Sequence, residues 1–356
     1  MKKVAVVVLN WNGASLLKQF LPLLLQRTPD TLADIIVADN GSTDTSLQLL
    51  ESHFPSVKVI ALNRNHGFAK GYNLALQNLN HEYAVLLNSD VEVATGWLNP
   101  LVDYLDLHPD TVAAQPKLLS YNNKNYFEYA GAAGGYVDRF GYPFCRGRIQ
   151  QSVEPDNQQY DDVKPILWAS GACLFVRLKD YQEVGGLDEF FFAHQEEIDL
   201  CWRLVSQGKE IVYIPSSVVY HVGGATLKKE NPGKTFLNFR NNLLLIYKNV
   251  SGGRMSWVLF VRFFLDILAA VQFLFRGQAS NTWAICRAWS AFLKIRPTYK
   301  AIRKEIQTSA TCKDPEQIYQ GCIIADYYLK GKKTFSQLNF TPESHGCKVK
   351  MHQSQS

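Results

Sequence analysis

The feature that most constrains this chain is a repeated alternation in its first 120 residues. Runs such as "KVAVVVLN", "DIIVADN", "VKVIALN" and "YAVLLNS" are continuously apolar and rich in β-branched residues. Such runs suit strands covered on both faces, not strands with one wet side. Between them lie segments with helical spacing: "ASLLKQFLPLLLQ", in which Pro22 is expected to bend or break the helix, "DTSLQLLESHF", with Ser42 or Asp44 as candidate N-cap, and "GFAKGYNLALQNL". "GWLNPLVDYLDLHP" adds a helix and "TVAAQPKLLS" a strand. Strands alternating with helices imply an α/β fold with a mostly parallel sheet and flanking helices. Ligands of such sheets sit beyond the carboxyl ends of the strands. Here those ends read "LNWNG", "ADNGSTD", "LNRNHG" and "LNSDVE", so Asn and Asp side chains gather at one rim.

Beyond Tyr121 the alternation is lost until about Pro165, and the glycine- and aromatic-rich stretch reads as long ordered loops. "ILWASGACLFVR" is strand-like, "QEEIDLCWRLVSQG" is a helix closed by Gly208, and "EIVYIP" and "SVVYHVGG" are two further strands. The pattern divides the chain at 1–230, 231–305 and 306–356, the last part being a polar, weakly patterned tail with mobile end residues. Charge divides it similarly. The net charge is only +5, yet Lys228 to Lys304 carries fourteen Lys and Arg against two acids. A basic segment on a mildly acidic body points to an anionic surface. The seven cysteines are scattered without a C-x-x-C pair, which fits a reducing, cytoplasmic compartment. "MKKVAVVVLNWNG" reads as a first strand and not as a targeting segment.

No glycine-rich phosphate loop follows the first strand. A divalent metal, which shares hard oxygens with carboxylate and diphosphate, is the natural substitute. Asn88 and Asp90, two apart at a strand end, are candidate ligands, and equally the makings of a turn. Asp39 could accept a hydrogen bond from a pyrimidine ring N–H, or merely precede a turn and a helix cap. Glu197, on the first turn of its helix beside "FFFAH", is a candidate general base, although acids favour that position through the helix dipole alone. Glu196 takes the face shared with Leu200 and Arg203. His221 ends an apolar strand and is either a packed core histidine or a metal ligand.

Taken in order, "VVVLNWNG", "VADNGSTD", "NHGFAKGYNLAL", "LLNSDVEV", "WASGACLFVRLKDYQEVGGLDEFFFAHQEEIDLCWRL" and "VYHVGG" resemble the family 2 glycosyltransferases of the GT-A fold, nearest their bacterial rhamnosyltransferase-like branch. The resemblance covers roughly Val4 to Leu245. It implies inverting transfer of a sugar from a UDP- or dTDP-linked donor with Mn²⁺ or Mg²⁺. Asp39 then matches the base-reading acid, Asn88 and Asp90 the D-x-D motif, Glu197 the catalytic base and His221 a further metal ligand. Asn10, Asn12, Lys70 and Asn73 fall on the nucleotide-sugar side. Trp168, Gly171, Glu196 and Asp199, with the loop at Gly134 and Gly135, fall around the acceptor pocket. Asn88 departs from the usual first acid of D-x-D, and Glu197 from the usual Asp.

"RMSWVLFVRFFLDILAAVQFLFRG", Arg254 to Gly277, is the most apolar stretch, interrupted by Arg262, Asp266 and Gln272. Central charges disfavour a span, and an i, i+4 spacing lets Arg262 and Asp266 pair. The reading is a helix lying in the membrane interface, with Arg254, Arg276, Arg287, Lys294, Arg296 and Lys300 toward anionic lipid. Packing on the enzyme itself or on a second subunit is the alternative. Nucleic acid is not expected as a partner. The resulting picture is a transferase on the inner face of the cytoplasmic membrane, acting on a glycan or lipid-linked glycan of a bacterial surface polysaccharide. A nucleotidyltransferase and an inactive transferase-like scaffold are the rival readings.

Overall fold

The computed structural model describes residues 2–223 and 231–340. Gly224, Lys228 to Glu230, Cys347 and the end of the tail, all part of the sequence reading, lie outside the described residues. The first half alternates as the pattern requires: β1 (Val4–Asn10), α1 (Ala14–Arg27), β2 (Ala33–Asp39), α2 (Ser46–His53), β3 (Lys58–Ala61), α3 (Gly67–Leu76), β4 (Tyr83–Asn88), the short β5 (Val91–Val93), α4 (Asn99–Leu107) and β6 (Thr111–Ser120). β1 pairs in parallel with β2 and β4, in register from Val4 to its carboxyl end. Its side chains alternate between two cores: Val4, Val6 and Val8 pack with Leu17, Leu21 and Trp97, while Ala5 and Val7 pack with Tyr72 and Ala75. That is two-sided burial with a period of two. Pro22 does not break α1, which runs through it unbroken. Leu17, Phe20, Leu21 and Leu24 are all buried, and packing of this face holds the helix despite the missing N–H. Neither Ser42 nor Asp44 caps α2, whose flanking residue is Thr45.

The irregular middle is more ordered than its sequence suggests. β7 (Gly135–Asp138), β8 (Pro143–Cys145), β9 (Arg148–Ile149) and β10 (Ser152–Val153) form an antiparallel meander. β11 (Lys164–Pro165) returns to the main sheet. "ILWASGACLFVR" is not one strand: Ile166 to Ala172 leaves the ladder, and β12 begins at Cys173 and runs to Arg177. The reason is local, since a turn forms where Cys173 N–H donates to the Ser170 carbonyl and Ala172 N–H to the Ser170 hydroxyl. After α5 (Leu178–Glu183) and α6 (Glu196–Ser206), "EIVYIP" and "SVVYHV" merge into one strand, β13 (Glu210–His221), with a register shift between Ile214 and Val218.

The main sheet has the order β11-β13-β6-β12-β4-β1-β2-β3, with β5 on β13. It is mixed: β12 is antiparallel to both β4 and β6, whereas β6 and β13 are parallel. The carboxyl ends of β1, β2, β4, β6 and β13 and the amino end of β12 therefore share one rim.

The chain continues into α7 (Pro232–Asn249), α8 (Gly252–Phe275), α9 (Ala279–Ile295) and α10 (Lys300–Ser309). Leu243 to Ile246 of α7 are fully buried in the same core as β1 and α6, so packing does not stop at residue 230. The tail is also part of the body. β14 (Ile318–Tyr319) pairs in parallel with β7, α11 (Ile323–Tyr328) follows, and Phe335 and Phe340 meet Tyr136 and Phe144 ring to ring. A few aromatics in a polar context anchor it, a signal too sparse for pattern reading. Ile323 is fully buried. Ile323→Ala is therefore expected to cost about 2–5 kcal/mol, read as a lower urea midpoint, whereas a free tail gives no change.

Candidate active site

The Asn/Asp rim is a hydrogen-bonded lattice. Asn10 Nδ2 donates to Asp39 Oδ2 at 2.9 Å, and Ser42 N–H to Asp39 Oδ1 at 2.8 Å. Asn12, with φ +51°, accepts the Thr43 N–H at 2.7 Å on its Oδ1, and its own N–H donates to Ser42 Oγ. Asp44 accepts from Ala14 N–H and Ser46 N–H. Asn40 binds the Gly67 carbonyl and the His66 N–H, tying the β2 end to α3. Asp39 is shielded from solvent, and Asn10 Oδ1 is buried without a partner. Trp11, which the sequence reading passed over, is half exposed between Asn10 and Asn12.

At the β4 end the antiparallel pairing of His221 with Val91 draws β13 alongside. His221 Nε2 lies 3.1 Å from Asp90 Oδ1 and 3.4 Å from Asn88 Nδ2, and Nδ1 lies 3.4 Å from Glu128 Oε1. Burial alone would lower the imidazole pKa, but Asp90 and Glu128 overcome it and raise it to about 10. Among the described residues no three His, Cys, Asp or Glu side chains form a group able to hold a metal ion. Asp90 and His221 converge as a pair. Their separation is close to that of two adjacent ligands on an ion bound at about 2.1 Å, so the pair suits a cation that takes its remaining ligands from substrate and water.

Glu197 stands on the first turn of α6, over the turn that precedes β12. A Cβ on Gly171 would reach within 3.8 Å of its carboxyl carbon and 3.1 Å of the Phe68 ring, so glycine keeps this space open. Burial lifts the Glu197 pKa to about 7, while the Gly171 amide and those at the start of α6 pull it back. The pKa of Glu196 is raised well above the usual range, by burial and then by the Glu197 charge. The approach to α6 is strained: Phe192, His194 and Gln195 all have φ between +63° and +72°. What holds it comes from α7. Asn241 Nδ2 donates to the carbonyls of Phe191, Ala193 and His194, Arg240 to those of Phe190 and Phe191, and Asn242 to Gln195 Oε1. Nothing in the local pattern of "FRNN" singles these residues out.

Several other expected site residues have partners within the chain. Asn73 bonds Leu187 at both backbone atoms and accepts from Tyr181 Oη, which ties α3 to the segment before α6. Asp199 is fully buried between Arg203 (2.9 Å), Lys248 (2.7 Å) and Asn249 (2.9 Å). Trp168 is buried with its indole N–H on the Tyr136 carbonyl, and Gly135 donates to its backbone, so it shapes the wall from behind. Lys70 pairs with Glu189 at 2.8 Å on the exposed side of α3. Glu128 and the α7 strap are the site elements that sequence reasoning missed.

The glycosyl transferase family 2 model matches residues 5–159, and the glycosyl transferase family group 2 model residues 84–286. The chain belongs to the family 2 glycosyltransferases, enzymes that act on nucleotide sugars. It resembles the rhamnosyltransferase-like branch: an N-acetylglucosaminyl-diphospho-decaprenol L-rhamnosyltransferase of Mycobacterium tuberculosis is 27% identical over 236 residues, 61% of this chain and 75% of that one. A low-salt glycan biosynthesis hexosyltransferase of Haloferax volcanii is 23% identical, over 68% of this chain and 74% of its own. An O-antigen biosynthesis protein of Myxococcus xanthus is 24% identical, with only 18% of its length matched. The fold is that of GT-A structures: GalNAc-T7 with UDP, GalNAc and Mn²⁺ superposes with a TM-score of 0.57 at 17% identity, over 71% of this chain and 49% of that one.

The Asp199 assignment has a direct test. Removing one partner of a buried ion pair costs about 3–5 kcal/mol, and Asp199→Ala leaves Arg203 with only the Val184 and Gly186 carbonyls and Lys248 with Asp188 alone. Burial raises the Asp199 pKa, but Lys248 and Arg203 outweigh it and lower the value. The Asp199 contribution is thus full above the unfolded carboxylate range and is lost as pH falls below it. The expected result is a large loss in melting temperature at pH 7 that narrows toward pH 3, with donor KM unchanged under conditions where the variant is folded.

Proposed function

We propose that this chain is an inverting, metal-assisted glycosyltransferase that moves a sugar from a UDP- or dTDP-linked donor to a lipid-linked glycan. The observation that carries the reading is a juxtaposition at one rim. An acid–imidazole pair, Asp90 and His221, stands at the β4 end, and a carboxyl lifted to about 7, Glu197, faces the adjoining Gly171 turn. Asp39 is the acceptor for the pyrimidine ring N–H, through the lone pairs left by Asn10 and Ser42. Asp90 and His221, with Asn88 beside them, hold a divalent cation, Mn²⁺ or Mg²⁺, which when bound supplies charge neutralisation at the departing diphosphate. Glu197 takes the proton of the acceptor hydroxyl as its oxygen attacks the anomeric carbon from the face opposite the diphosphate. A carboxyl that is half ionised near neutral pH is matched to that task, since it is both available and basic enough to accept the proton.

The acceptor class is supported by the Mycobacterium tuberculosis relative, named for a diphospho-decaprenol substrate, and by α8. This helix is long and apolar enough to cross a membrane by length and composition. However, Arg262 and Asp266 pair at 3.1 Å on its inner face, buried against Asn242, Tyr142 and Trp289. A helix bonded to the enzyme along one side lies on the bilayer instead of spanning it. Its outer face exposes Trp257, Phe260, Phe264, Leu268, Val271 and Phe275, flanked by basic residues. These features support a peripheral position on the inner face of the cytoplasmic membrane.

Three outcomes are expected. UDP or dTDP with Mn²⁺ raises the melting temperature by several degrees through mass action, and Asp90→Ala removes the shift. With the donor and an acceptor, kcat/KM rises with pH and levels off above about 7, because Glu197 must lose its proton first; Glu197→Gln lowers turnover by about 10²-fold or more and flattens that limb. The protein sediments with phosphatidylglycerol vesicles at low salt and not with phosphatidylcholine vesicles, and Phe264→Glu with Leu268→Glu abolishes this. Absence of any nucleotide shift overturns the donor assignment, and equal sedimentation of the double variant overturns the membrane face.

A further inference from the structure

Three phenylalanines precede α6, and the fold treats them differently. Phe190 packs on the Arg240 guanidinium, 4.6 Å from its ring centroid, and edge to face on Tyr299. Phe191 is fully buried, whereas Phe192 is 47% exposed. The Phe192 backbone is unfavourable as well. With φ +63° and ψ −57°, and with the Ala193 N–H bonded to the Phe191 carbonyl at 2.7 Å, it is the centre of a γ-turn of the rare, strained hand. A bulky residue seldom takes a positive φ, which glycine adopts freely. The Phe192 carbonyl accepts from the Phe68 and Ala69 N–H groups at 2.7 and 3.3 Å, so the turn is locked onto the start of α3. Those bonds account for the backbone. They use no side chain, and glycine would serve them as well. The exposed ring therefore needs a reason of its own.

Its place supplies one. The ring edge lies against Gly67, where an added Cβ would meet Phe192 Cδ2 at 2.5 Å and Cε2 at 2.7 Å. The adjoining Phe68 ring borders the Gly171 space that Glu197 faces. Two and five residues further on, His194 Nε2 and Glu197 Oε2 are buried without a hydrogen-bond partner among the described residues. Buried polar atoms are nearly always paired, so these two mark a polar edge beside an exposed apolar face. That combination is the complement of a pyranose. The C–H bonds on one face of a sugar are positively polarised and suit the negative face of an aromatic ring, while its hydroxyls seek donors and acceptors at the edge. We propose that Phe192 is the stacking platform for the acceptor sugar, holding its ring so that one hydroxyl meets Glu197. This deepens the function proposed above and rests on its assignment of Glu197 as the base. The occupant is the acceptor because the base must touch the acceptor hydroxyl, and Phe192 shares one short segment with that base. The donor diphosphate belongs to the Asp90 side. Stacking reads a face and not a set of hydroxyls, so Phe192 sets affinity, and the approach to Glu197 sets which hydroxyl reacts.

The test uses the full-length protein and two probes. UDP with Mn²⁺, read by thermal shift, reports the donor side. A short-chain N-acetylglucosaminyl diphosphate lipid, titrated calorimetrically into the UDP-bound protein, reports the acceptor side. Phe192→Gly removes the ring and relieves the strained turn. It is expected to melt close to the wild type, to keep the UDP shift, and to weaken the lipid probe about 10–100-fold, the range for an apolar ring face left without its cover. Phe192→Leu, which keeps apolar bulk without a flat face, is expected to weaken the probe in the same direction and keeps the test open should Phe192→Gly fold poorly. Phe192→Trp restores a face and is expected to bind within a few-fold of the wild type. In turnover the loss in Phe192→Gly falls on acceptor KM, with donor KM unchanged. Equal probe affinity in wild type, Phe192→Gly and Phe192→Leu overturns the platform and leaves the base assignment standing, which Glu197→Gln judges separately. Loss of the UDP shift in Phe192→Gly gives the ring to the donor and also overturns the inference. A wild type that binds UDP and ignores the lipid probe overturns the lipid-linked acceptor reading, and the platform with it.

Discussion

The site depends on one strand running against its neighbours. β12 lies between β4 and β6, antiparallel to both, and the Asn88 N–H closes the ladder on the Ala172 carbonyl at 3.0 Å. A parallel strand in that place would present its far end to the rim. The reversed strand instead delivers the turn before it, with Gly171, to the edge where β1, β2, β4 and β13 end. Glu197 then needs only to sit over that turn to face the ends of the other strands. The mixed sheet is thus the reason that the Gly171 turn and Glu197 lie at the rim where β1, β2, β4 and β13 end.

Burial gives opposite results two residues apart on α6. Asp199 and Glu197 are both acids withdrawn from water, and withdrawal penalises both charges. Asp199 points into the body, where Lys248 and Arg203 lower its pKa despite burial. Glu197, about 200° further round the helix, is set against backbone amides, and burial raises its pKa to about 7. The difference between the two acids lies in which cations each side of the helix faces. α7 supplies both sides of this arrangement: Lys248 compensates Asp199, and Asn241 and Arg240 hold the strained backbone that starts the helix.

The same logic operates in α8. Arg262 and Asp266 interrupt an apolar run and, in lipid, would be costly. They turn inward and are satisfied by one another, by Asn242 and by the Trp289 indole N–H. Their pairing leaves the outer face dominated by aromatic and aliphatic side chains. Asn242 also reaches Gln195, so the residue that anchors α8 touches the start of the helix carrying Glu197.

By itself the sequence determined the strands and helices of the first 120 residues, the polar rim, the Arg262–Asp266 pair and the family. These depend on local composition: a continuously apolar β-branched run has few alternatives to a buried strand, and six motifs in order need no coordinates. Tertiary structure alone decided the reversal of β12, the second sheet, the docking of the tail on Tyr136 and Phe144, and the fates of Asn73 and Asp199. It also brought Glu128 behind His221, 93 residues away in the chain. Each of these rests on contacts between distant segments, whose residues are ordinary in their own surroundings. The partners of Asn73 at a helix surface and of Asp199 on an acidic first turn come from segments far off in the chain. Local free energies select the elements, whereas the pairing of strands and the placement of buried charges are set by partners that no short window of sequence contains.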